Sequence, residues 1–315
     1  MRTLWEAALL AVAIGDALGF PFEGEAPENL KDFDPSFYRA GSWPPGTWSD
    51  DTSLTFITAE SLISRKRLDL EDLGHRFLKW LHEGYFTPFG QAIGVGRATR
   101  EALLRLAQGV PPTKAGGRGE RDNGNGALMR LLPVVLWYHR AEENLFLARV
   151  HEAASLTHAH PRNLLACGLY AFVVREVLKG LPFREALTKA LEQGFSFYSR
   201  SPWIRELKFF EPLGQIFLIR APEIRASGYV VHTLEAVCWV LGQSTSFLDA
   251  LRLAISLGGD TDTIAAITGG LAALLYGPGD LPETLVQGLV RSELLTTVAR
   301  NFAEALNTSP WVDSA

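Results

Sequence analysis

Apolar residues recur every three or four positions along almost the whole chain, which is the spacing of one face of an amphipathic helix. A clear example is the set Leu70, Leu73, Phe77 and Leu81. The same spacing begins at Leu4 and predicts further helices over 54–62, 103–107, 128–139, 145–155, 163–178, 183–191, 230–241, 247–256 and 263–276, with a last helical run over 281–306. No segment alternates apolar and polar residues over the length of a strand. We therefore expect an all-α protein of roughly a dozen helices.

Two segments interrupt the helical pattern, over 21–48 and 110–126. Both contain prolines and are longer than the usual connection between helices, and loops of this length often carry functional residues. Neither has the monotonous Gly/Ser composition of a flexible linker. We therefore predict one compact domain over 1–315, folded as an orthogonal helical bundle.

Composition narrows the class of protein. The chain has 315 residues, of which 47% are hydrophobic and 21% charged, and its net charge of −5 excludes a broad basic surface for nucleic acid. The apolar N-terminal stretch is interrupted by Glu6 and Asp16, and no other stretch is long enough to predict a membrane span. The two cysteines, Cys167 and Cys238, form no C-x-x-C pair, which favours a reduced cytoplasmic protein without disulfides or thiolate-bound zinc.

Candidate chemistry begins with two acidic segments, each of which precedes an apolar helix. Ser49, Asp50 and Asp51 stand before the helix over 54–62, and Asp260 and Asp262 stand before the helix over 263–276. Helix capping is one explanation, because Ser and Asp accept hydrogen bonds from the free N–H groups of a first turn. Capping accounts for one aspartate in each segment but not for two. The alternative is that these oxygens converge on a hard divalent cation.

A third acidic position, Glu23, lies in the loop over 21–48. If Glu23, Asp50, Asp51, Asp260 and Asp262 met in space, each pair of charges would repel by about 4 kcal/mol at 4 Å and an effective dielectric constant near 20. Only bound cations would make that arrangement tolerable. Oxygen ligands without cysteine favour Mg²⁺ or Mn²⁺, and five carboxylates are enough for a site with two metal ions.

Two further features have both a functional and a structural interpretation. The segment Gly124-Asn125-Gly126-Ala127-Leu128-Met129 precedes a predicted helix, and it either cradles a phosphate group or only forms a turn. His158 and His160 are either ligands or acid–base groups, or they mark the end of a helix.

Five segments in this order resemble the ADP-ribosylglycohydrolase family, which includes the dinitrogenase-reductase-activating glycohydrolase. They are GDALGFPFE from Gly15, WSDDT from Trp48, GNGALMR from Gly124, THAHP from Thr157 and GGDTDT from Gly258. The resemblance implies a compact all-helical domain with a binuclear Mg²⁺ or Mn²⁺ centre. It also implies that the protein hydrolyses the glycosidic bond of ADP-ribosylated groups.

The resemblance also implies individual roles. The family's metal ligands fall on Ser49, Asp50, Asp51, Asp260, Asp262 and Thr263. Asp262 would bridge the metal ions, and Glu23 and Asp262 would take part in catalysis. ADP-ribose would be held by Gly124, Asn125, Gly126, Ala127 and Met129.

Two positions depart from the family's pattern. Ser49 stands where many members have threonine, which keeps the hydroxyl group. Gly94 stands where several arginine-specific members have an aspartate that faces the substrate. The linkage that the protein cleaves therefore stays open and need not be to arginine. An ADP-ribosylated protein is the first expectation for the acceptor.

The chemistry expected from these residues is attack of water on the anomeric carbon of the ribose. Two cations would hold the ribose hydroxyls and acidify the water, and Glu23 or one of the aspartates would accept the proton. Two other functions stay open, a metal-dependent phosphohydrolase and a non-catalytic protein that binds ADP-ribose. All six ligand positions carry oxygen side chains, which favours a hydrolase.

Overall fold

The computed structural model describes residues 2–309, and the prediction of an all-α protein is confirmed for them. The α-helices are α1 (Leu4–Gly19), α2 (Asp50–Arg65), α3 (Leu70–Glu83), α4 (Arg97–Ala107), α5 (Pro112–Ala115), α6 (Leu132–Tyr138), α7 (Glu143–Ser155), α8 (Pro161–Val177), α9 (Phe183–Ser199), α10 (Val230–Gln243), α11 (Phe247–Ser256), α12 (Thr261–Tyr276), α13 (Glu283–Gly288) and α14 (Ser292–Asn307). Short 3₁₀ helices connect them at Phe20–Phe22, Pro27–Leu30, Glu120–Asp122, Leu128–Arg130, Ile204–Phe209, Glu211–Leu218, Ala221–Glu223 and Pro278–Asp280.

Helices α1 and α12 pack against each other at the centre of the molecule, and their glycines allow the contact. A Cβ atom at Gly15 would overlap the Ala265 carbonyl oxygen, and one at Gly269 would overlap the Ala11 carbonyl oxygen. Only glycine lets two helix backbones approach so closely. The end of α1, which carries Asp16, therefore lies against the start of α12.

The apolar N-terminal helix is a core helix. By length and composition, the segment Leu4–Phe22 could cross a membrane. In the folded protein most of it is buried, and residues 7–19 are inaccessible to solvent along the whole run. The continuous apolar character of α1 therefore reflects burial on all sides.

Two predicted helices are broken in the structure. The helix predicted over 128–139 is a 3₁₀ turn, Leu128–Arg130, followed by α6, with a proline in the first turn of α6. The run predicted over 281–306 is divided into α13 and α14. Between them, Val290 donates its N–H to the Gly46 carbonyl at 2.9 Å and accepts a hydrogen bond from the Trp48 indole at 2.8 Å. Arg291 then adopts a left-handed conformation with φ of 56°. The hydrogen bonds from residues 46–48 replace those of a continuous helix.

The two long loops are ordered by short turns, and both reach the cavity described below. The first loop contains the 3₁₀ turns Phe20–Phe22 and Pro27–Leu30. The second contains α5 and the turn Glu120–Asp122. The sequence pattern did not predict the 3₁₀ turns between Ile204 and Glu223, nor the extension of α9 beyond residue 191 to Ser199.

Candidate active site and metal centre

A cavity of about 670 Å³ opens where α2 and α12 begin. Residues that the sequence placed in four separate segments lie along its wall: Glu23, Asp50, Asp51, Gly124, Asn125, Gly126, Met129, Asp260, Asp262 and Thr263. The structure adds wall residues that the sequence analysis did not single out, including Gly96, Arg97, Thr99, Arg121, Ser227 and Gly228. The cavity is large enough for a nucleotide-sized ligand.

Asp16 on α1 anchors the first turn of α2. Its buried carboxylate accepts hydrogen bonds from the Ser49 N–H at 2.9 Å, the Thr52 N–H at 3.0 Å and the Thr52 hydroxyl at 2.5 Å. The Ser49 hydroxyl accepts from the Asp51 N–H at 3.3 Å. The start of α2 is thus capped by Ser49 and Asp16, which leaves the carboxylates of Asp50 and Asp51 for another role.

Carboxylates from three parts of the chain form two groups that share one residue. One oxygen each from Asp16, Asp51 and Asp262 lie within 4.8 Å of one another. One oxygen each from Glu23, Asp260 and Asp262 lie equally close. Asp262 is therefore the residue that the two groups have in common.

Two hydroxyl groups complete the set of oxygens around Asp51. The Ser49 hydroxyl lies 3.2 Å from Asp51 Oδ2, and the Thr263 hydroxyl lies 3.3 Å from the same oxygen. The Thr263 N–H donates to Asp262 Oδ1 at 2.8 Å, and this fixes the carboxylate at the start of α12. The predicted ligand positions of both acidic segments thus meet at one end of the cavity.

The protein environment disfavours the charged forms of these acids. Burial is the main reason that the pKa values of Asp50, Asp51 and Asp262 lie well above their usual range. The next cause is a neighbouring carboxylate: Asp262 for Asp50, Asp16 for Asp51, and Asp51 for Asp262. At the exposed rim, the pKa of Glu23 is raised by partial desolvation and then by Asp260.

The residues present fit a hard divalent cation. The Oδ1 atom of Asp51 is buried and has no hydrogen-bond partner within residues 2–309, which is costly for a carboxylate oxygen unless a cation contacts it. The surrounding donors are carboxylate and hydroxyl oxygens, the type that Mg²⁺ and Mn²⁺ prefer. A bound cation would also relieve the repulsion that raises the pKa values.

The glycine-rich segment lies beside the acidic end, but its residues differ in role. Asn125 donates from its amide to Asp260 Oδ2 at 2.6 Å and to the Thr233 hydroxyl at 2.9 Å, so its side chain orients Asp260. Its N–H is bonded to the Gly228 carbonyl at 3.0 Å. Ala127 is fully buried and is not among the residues of the wall. The segment also leads into a 3₁₀ turn instead of a long helix.

The two histidines have different positions. His158 is part of the cavity wall, whereas His160 caps α8, where its Nδ1 accepts from the Arg162 N–H at 3.2 Å. The interpretation of a helix terminus is thus correct for His160. Asp16 was the main residue that the sequence analysis missed. Its signal was a lone aspartate, directly after Gly15, in an otherwise apolar helix.

Gly94 lies directly against the acidic site. Its φ of +80° is a conformation that favours glycine, and a Cβ atom at this position would overlap the Asp50 Oδ1 atom. A side chain at Gly94 would therefore have to displace the Asp50 carboxylate. Both the backbone conformation and the contact with Asp50 thus favour glycine at position 94.

Together, the fold and the site define an all-α protein with a cavity that is acidic at one end and bordered by glycines beside it. The profile of the ADP-ribosylglycohydrolase family matches residues 5–310. A solved structure described as an ADP-ribosylglycohydrolase-related protein complex superposes with a TM-score of 0.77 at 34% identity, covering 96% of this chain and 98% of that one.

Curated relatives agree with this assignment. The chain is 31% identical over 302 residues to ADP-ribosylarginine hydrolase Tri1 of Serratia proteamaculans, covering 94% of this chain and 78% of the relative. It is 30% identical over 293 residues to ADP-ribosyl-[dinitrogen reductase] glycohydrolase of Rhodospirillum rubrum, covering 88% and 86%. It is 25% identical over 329 residues to ADP-ribosylhydrolase ARH3 of Gallus gallus, covering 90% and 88%.

The chain belongs to the ADP-ribosylglycohydrolase family. It is accordingly an enzyme that removes ADP-ribose from acceptors. The family resemblance seen in the sequence is thus confirmed.

Proposed function

We propose that the protein is a metal-dependent hydrolase that cleaves the glycosidic bond at the anomeric carbon of an ADP-ribosylated acceptor. The observation that carries the proposal is the pair of carboxylate groups that share Asp262. A site with this many buried acids and an unpartnered Asp51 oxygen is suited to two cations, Mg²⁺ or Mn²⁺. The continuous family match supports the further proposal that 1–315 acts as one domain.

The residues proposed to hold the metal ions are Ser49, Asp50, Asp51, Asp260, Asp262 and Thr263, and Asp262 is the proposed bridge. When bound, the ions supply positive charge that orients the ribose hydroxyls and acidifies a water molecule. Asp16 and Asn125 act through these residues. Asp16 holds the start of α2, and Asn125 fixes the Asp260 carboxylate.

Glu23 is the proposed proton acceptor. It lies at the exposed rim of the cavity and belongs to the group formed with Asp260 and Asp262. Its pKa is raised by partial desolvation and by Asp260, which makes it a better base than an ordinary glutamate. As the glycosidic bond breaks, positive charge develops on the sugar and the electron pair goes to the leaving group, and the acidic end of the cavity would stabilise the developing positive charge.

The opposite charge along the cavity wall supports an orientation for ADP-ribose. Arg97 and Arg121 belong to the wall together with Thr99 and the glycine-rich segment, whereas the acids cluster where α2 and α12 begin. The negative diphosphate is therefore proposed to lie towards the arginines, with the ribose beside Glu23. Gly124, Asn125, Gly126 and Met129 are the proposed contacts between these ends.

The acceptor is proposed to be an ADP-ribosylated protein in the cytoplasm. The Serratia relative is an ADP-ribosylarginine hydrolase, so arginine-linked ADP-ribose is the first substrate to test. Gly94 replaces the aspartate of arginine-specific members and leaves the Asp50 side of the cavity without an extra side chain. We therefore propose that arginine is not the only linkage cleaved.

The experiment is a panel of ADP-ribosylated arginine, serine and nucleic-acid substrates, assayed with Mg²⁺, with Mn²⁺ and with EDTA. Wild-type protein should release intact ADP-ribose only with a metal ion, and Asp262→Asn should lose about 10²-fold or more in rate. Release of inorganic phosphate would favour a phosphohydrolase. Binding of ADP-ribose without turnover of any linkage would favour a non-catalytic protein.

A further inference from the structure

The imidazole of His158 borders the cavity next to the glycine-rich segment. The ring is almost completely buried, and a Cβ atom placed at Gly126 would lie 3.0 Å from its Cε1 atom. A Cβ atom at Gly124 would lie 3.5 Å from its Nε2 atom. The Nε2 edge of His158 therefore faces the part of the cavity where these glycines lie, and the Nδ1 edge faces the protein interior.

Behind His158 lies a fully buried arginine. The Nη2 atom of Arg130 donates to the Ala153 carbonyl at 3.0 Å and to the Thr157 hydroxyl at 2.8 Å. Its Nε and Nη1 atoms have no hydrogen-bond partner within the described residues. Because a guanidinium group carries only donors, the Thr157 oxygen must accept this hydrogen bond.

With its oxygen accepting from Arg130, the Thr157 hydroxyl still has one hydrogen to donate, and the direction of that hydrogen sets the tautomer of His158. The Thr157 hydroxyl lies 2.9 Å from His158 Nδ1, and this nitrogen is the acceptor that the structure offers to its hydrogen. If the hydroxyl donates to Nδ1, the ring proton resides on Nε2. Burial and then the charge of Arg130 lower the pKa of His158 to about 3, so the ring stays neutral at physiological pH.

We propose that Arg130 and Thr157 are positioning residues, which fix His158 as the Nε2–H tautomer and make it a hydrogen-bond donor towards the cavity. The acceptor is an oxygen of bound ADP-ribose, and this last step rests on the proposed function. The tautomer itself does not depend on it. His158 acts as a fixed neutral donor and takes no part in proton transfer.

The first test reads the tautomer in the wild-type protein. The full chain is labelled with ¹⁵N-histidine, and the His158 signal is identified as the one that His158→Gln removes. Long-range ¹H–¹⁵N correlation spectra should show a protonated Nε2 and an unprotonated Nδ1. A protonated Nδ1 in the wild-type protein would overturn the proposal, and the His158→Gln variant serves only to assign the signal.

The second test removes the hydroxyl. Thr157→Val should give a mixture of tautomers and raise the Kd for ADP-ribose by about tenfold, the cost of one hydrogen bond to a charged or polar oxygen. Thr157→Ser should restore both properties. Thr58→Val is the matched control, because Thr58 is equally buried and its hydroxyl donates to the Leu54 carbonyl, within its own helix. It should leave the tautomer and the Kd unchanged.

The two readouts separate this inference from the proposed function. If folded Thr157→Val keeps a pure Nε2–H tautomer, the relay through Arg130 and Thr157 is wrong. If the tautomer responds as expected but wild-type protein does not bind ADP-ribose, the proposed function fails and the relay remains. An unchanged Kd in a variant whose tautomer has become mixed would overturn the contact between His158 and the ligand.

Discussion

The Asp16 carboxylate on α1 accepts hydrogen bonds from both the N–H and the hydroxyl of Thr52 on α2, at 3.0 and 2.5 Å. This contact joins two helices whose termini carry the acidic site. It ties the position of Asp50 and Asp51 to the packing of α1 against α12. The stability of the fold and the geometry of the metal site are therefore linked through one side chain.

The first prediction follows from this link. Asp16→Ala leaves the Ser49 and Thr52 N–H groups buried without an acceptor, and each such loss costs about 1 to 3 kcal/mol. In Mg²⁺ the variant should lose about 2 kcal/mol or more of unfolding free energy and bind metal more weakly. Urea denaturation and calorimetry measure the two effects. Asp34→Ala, at a half-buried aspartate that bonds Ser36 and is not part of the cavity wall, is the control and should leave the metal affinity unchanged.

The second prediction concerns Gly94. Gly94→Ala should strain a left-handed backbone and also push against Asp50, so metal affinity and turnover should both fall. Gly90→Ala is a matched control, because Gly90 has a similar φ of +76° and open space around its Cβ position. It should lose only about 1 kcal/mol of stability and keep its metal affinity. Equal metal affinities in the two variants would contradict the close contact between Gly94 and Asp50.

The third prediction is a pH dependence without metal. Burial, partly offset by hydrogen bonds from Thr52 and Ser49, raises the pKa of Asp16 from 3.8 to about 6, and the pKa values of Asp50, Asp51 and Asp262 shift in the same direction. The folded state then binds protons more tightly than the unfolded chain. The stabilising contribution of the Asp16 carboxyl group is complete below pH 3.8 and is lost as the pH rises through about 6.

Mg²⁺ should remove this loss, because a cation stabilises the charged carboxylates. The difference between the melting temperatures in Mg²⁺ and in EDTA should widen as the pH rises from about 4 to about 7. Taking the difference cancels the buried histidines, which titrate in both samples. A difference that stays constant over this range would show that the acids do not bind the ion together.

The fourth prediction concerns the wall of the ligand cavity. A side chain at Gly126 would press on His158 and the Thr99 hydroxyl, each 3.0 Å from the Cβ position. Gly126→Val should therefore raise the Kd for ADP-ribose while metal binding stays nearly intact. Gly214→Val, at a site with open space, is the control. Calorimetry that finds wild-type ADP-ribose affinity in folded Gly126→Val would exclude this segment as a ligand contact.

The sequence predicted the helical class and most helices, because apolar spacing reports burial on one face. It did not predict where long-range contacts interrupt that spacing. The break between α13 and α14 depends on hydrogen bonds between Val290 and residues 46–48, which are remote along the chain. No local pattern contains that information.

In the acidic site, too, the sequence predicted the local features but not the long-range contacts. Paired aspartates at two helix starts were visible as a pattern, and their excess over capping needs pointed to a cation. The sequence did not predict that Asp16 caps another helix, because its partners Ser49 and Thr52 lie more than thirty positions away along the chain. The role of Asn125 likewise depends on its 2.6 Å contact with Asp260, 135 positions away.

Hydrolysis in ¹⁸O-labelled water tests the central claim most directly. With Mg²⁺ or Mn²⁺, an ADP-ribosylated acceptor should yield free ADP-ribose that carries the label on its anomeric hydroxyl, because water attacks the anomeric carbon. EDTA should abolish the incorporation. Label recovered in phosphate, or turnover that is unchanged in EDTA, would contradict a metal-dependent glycohydrolase built around Asp262.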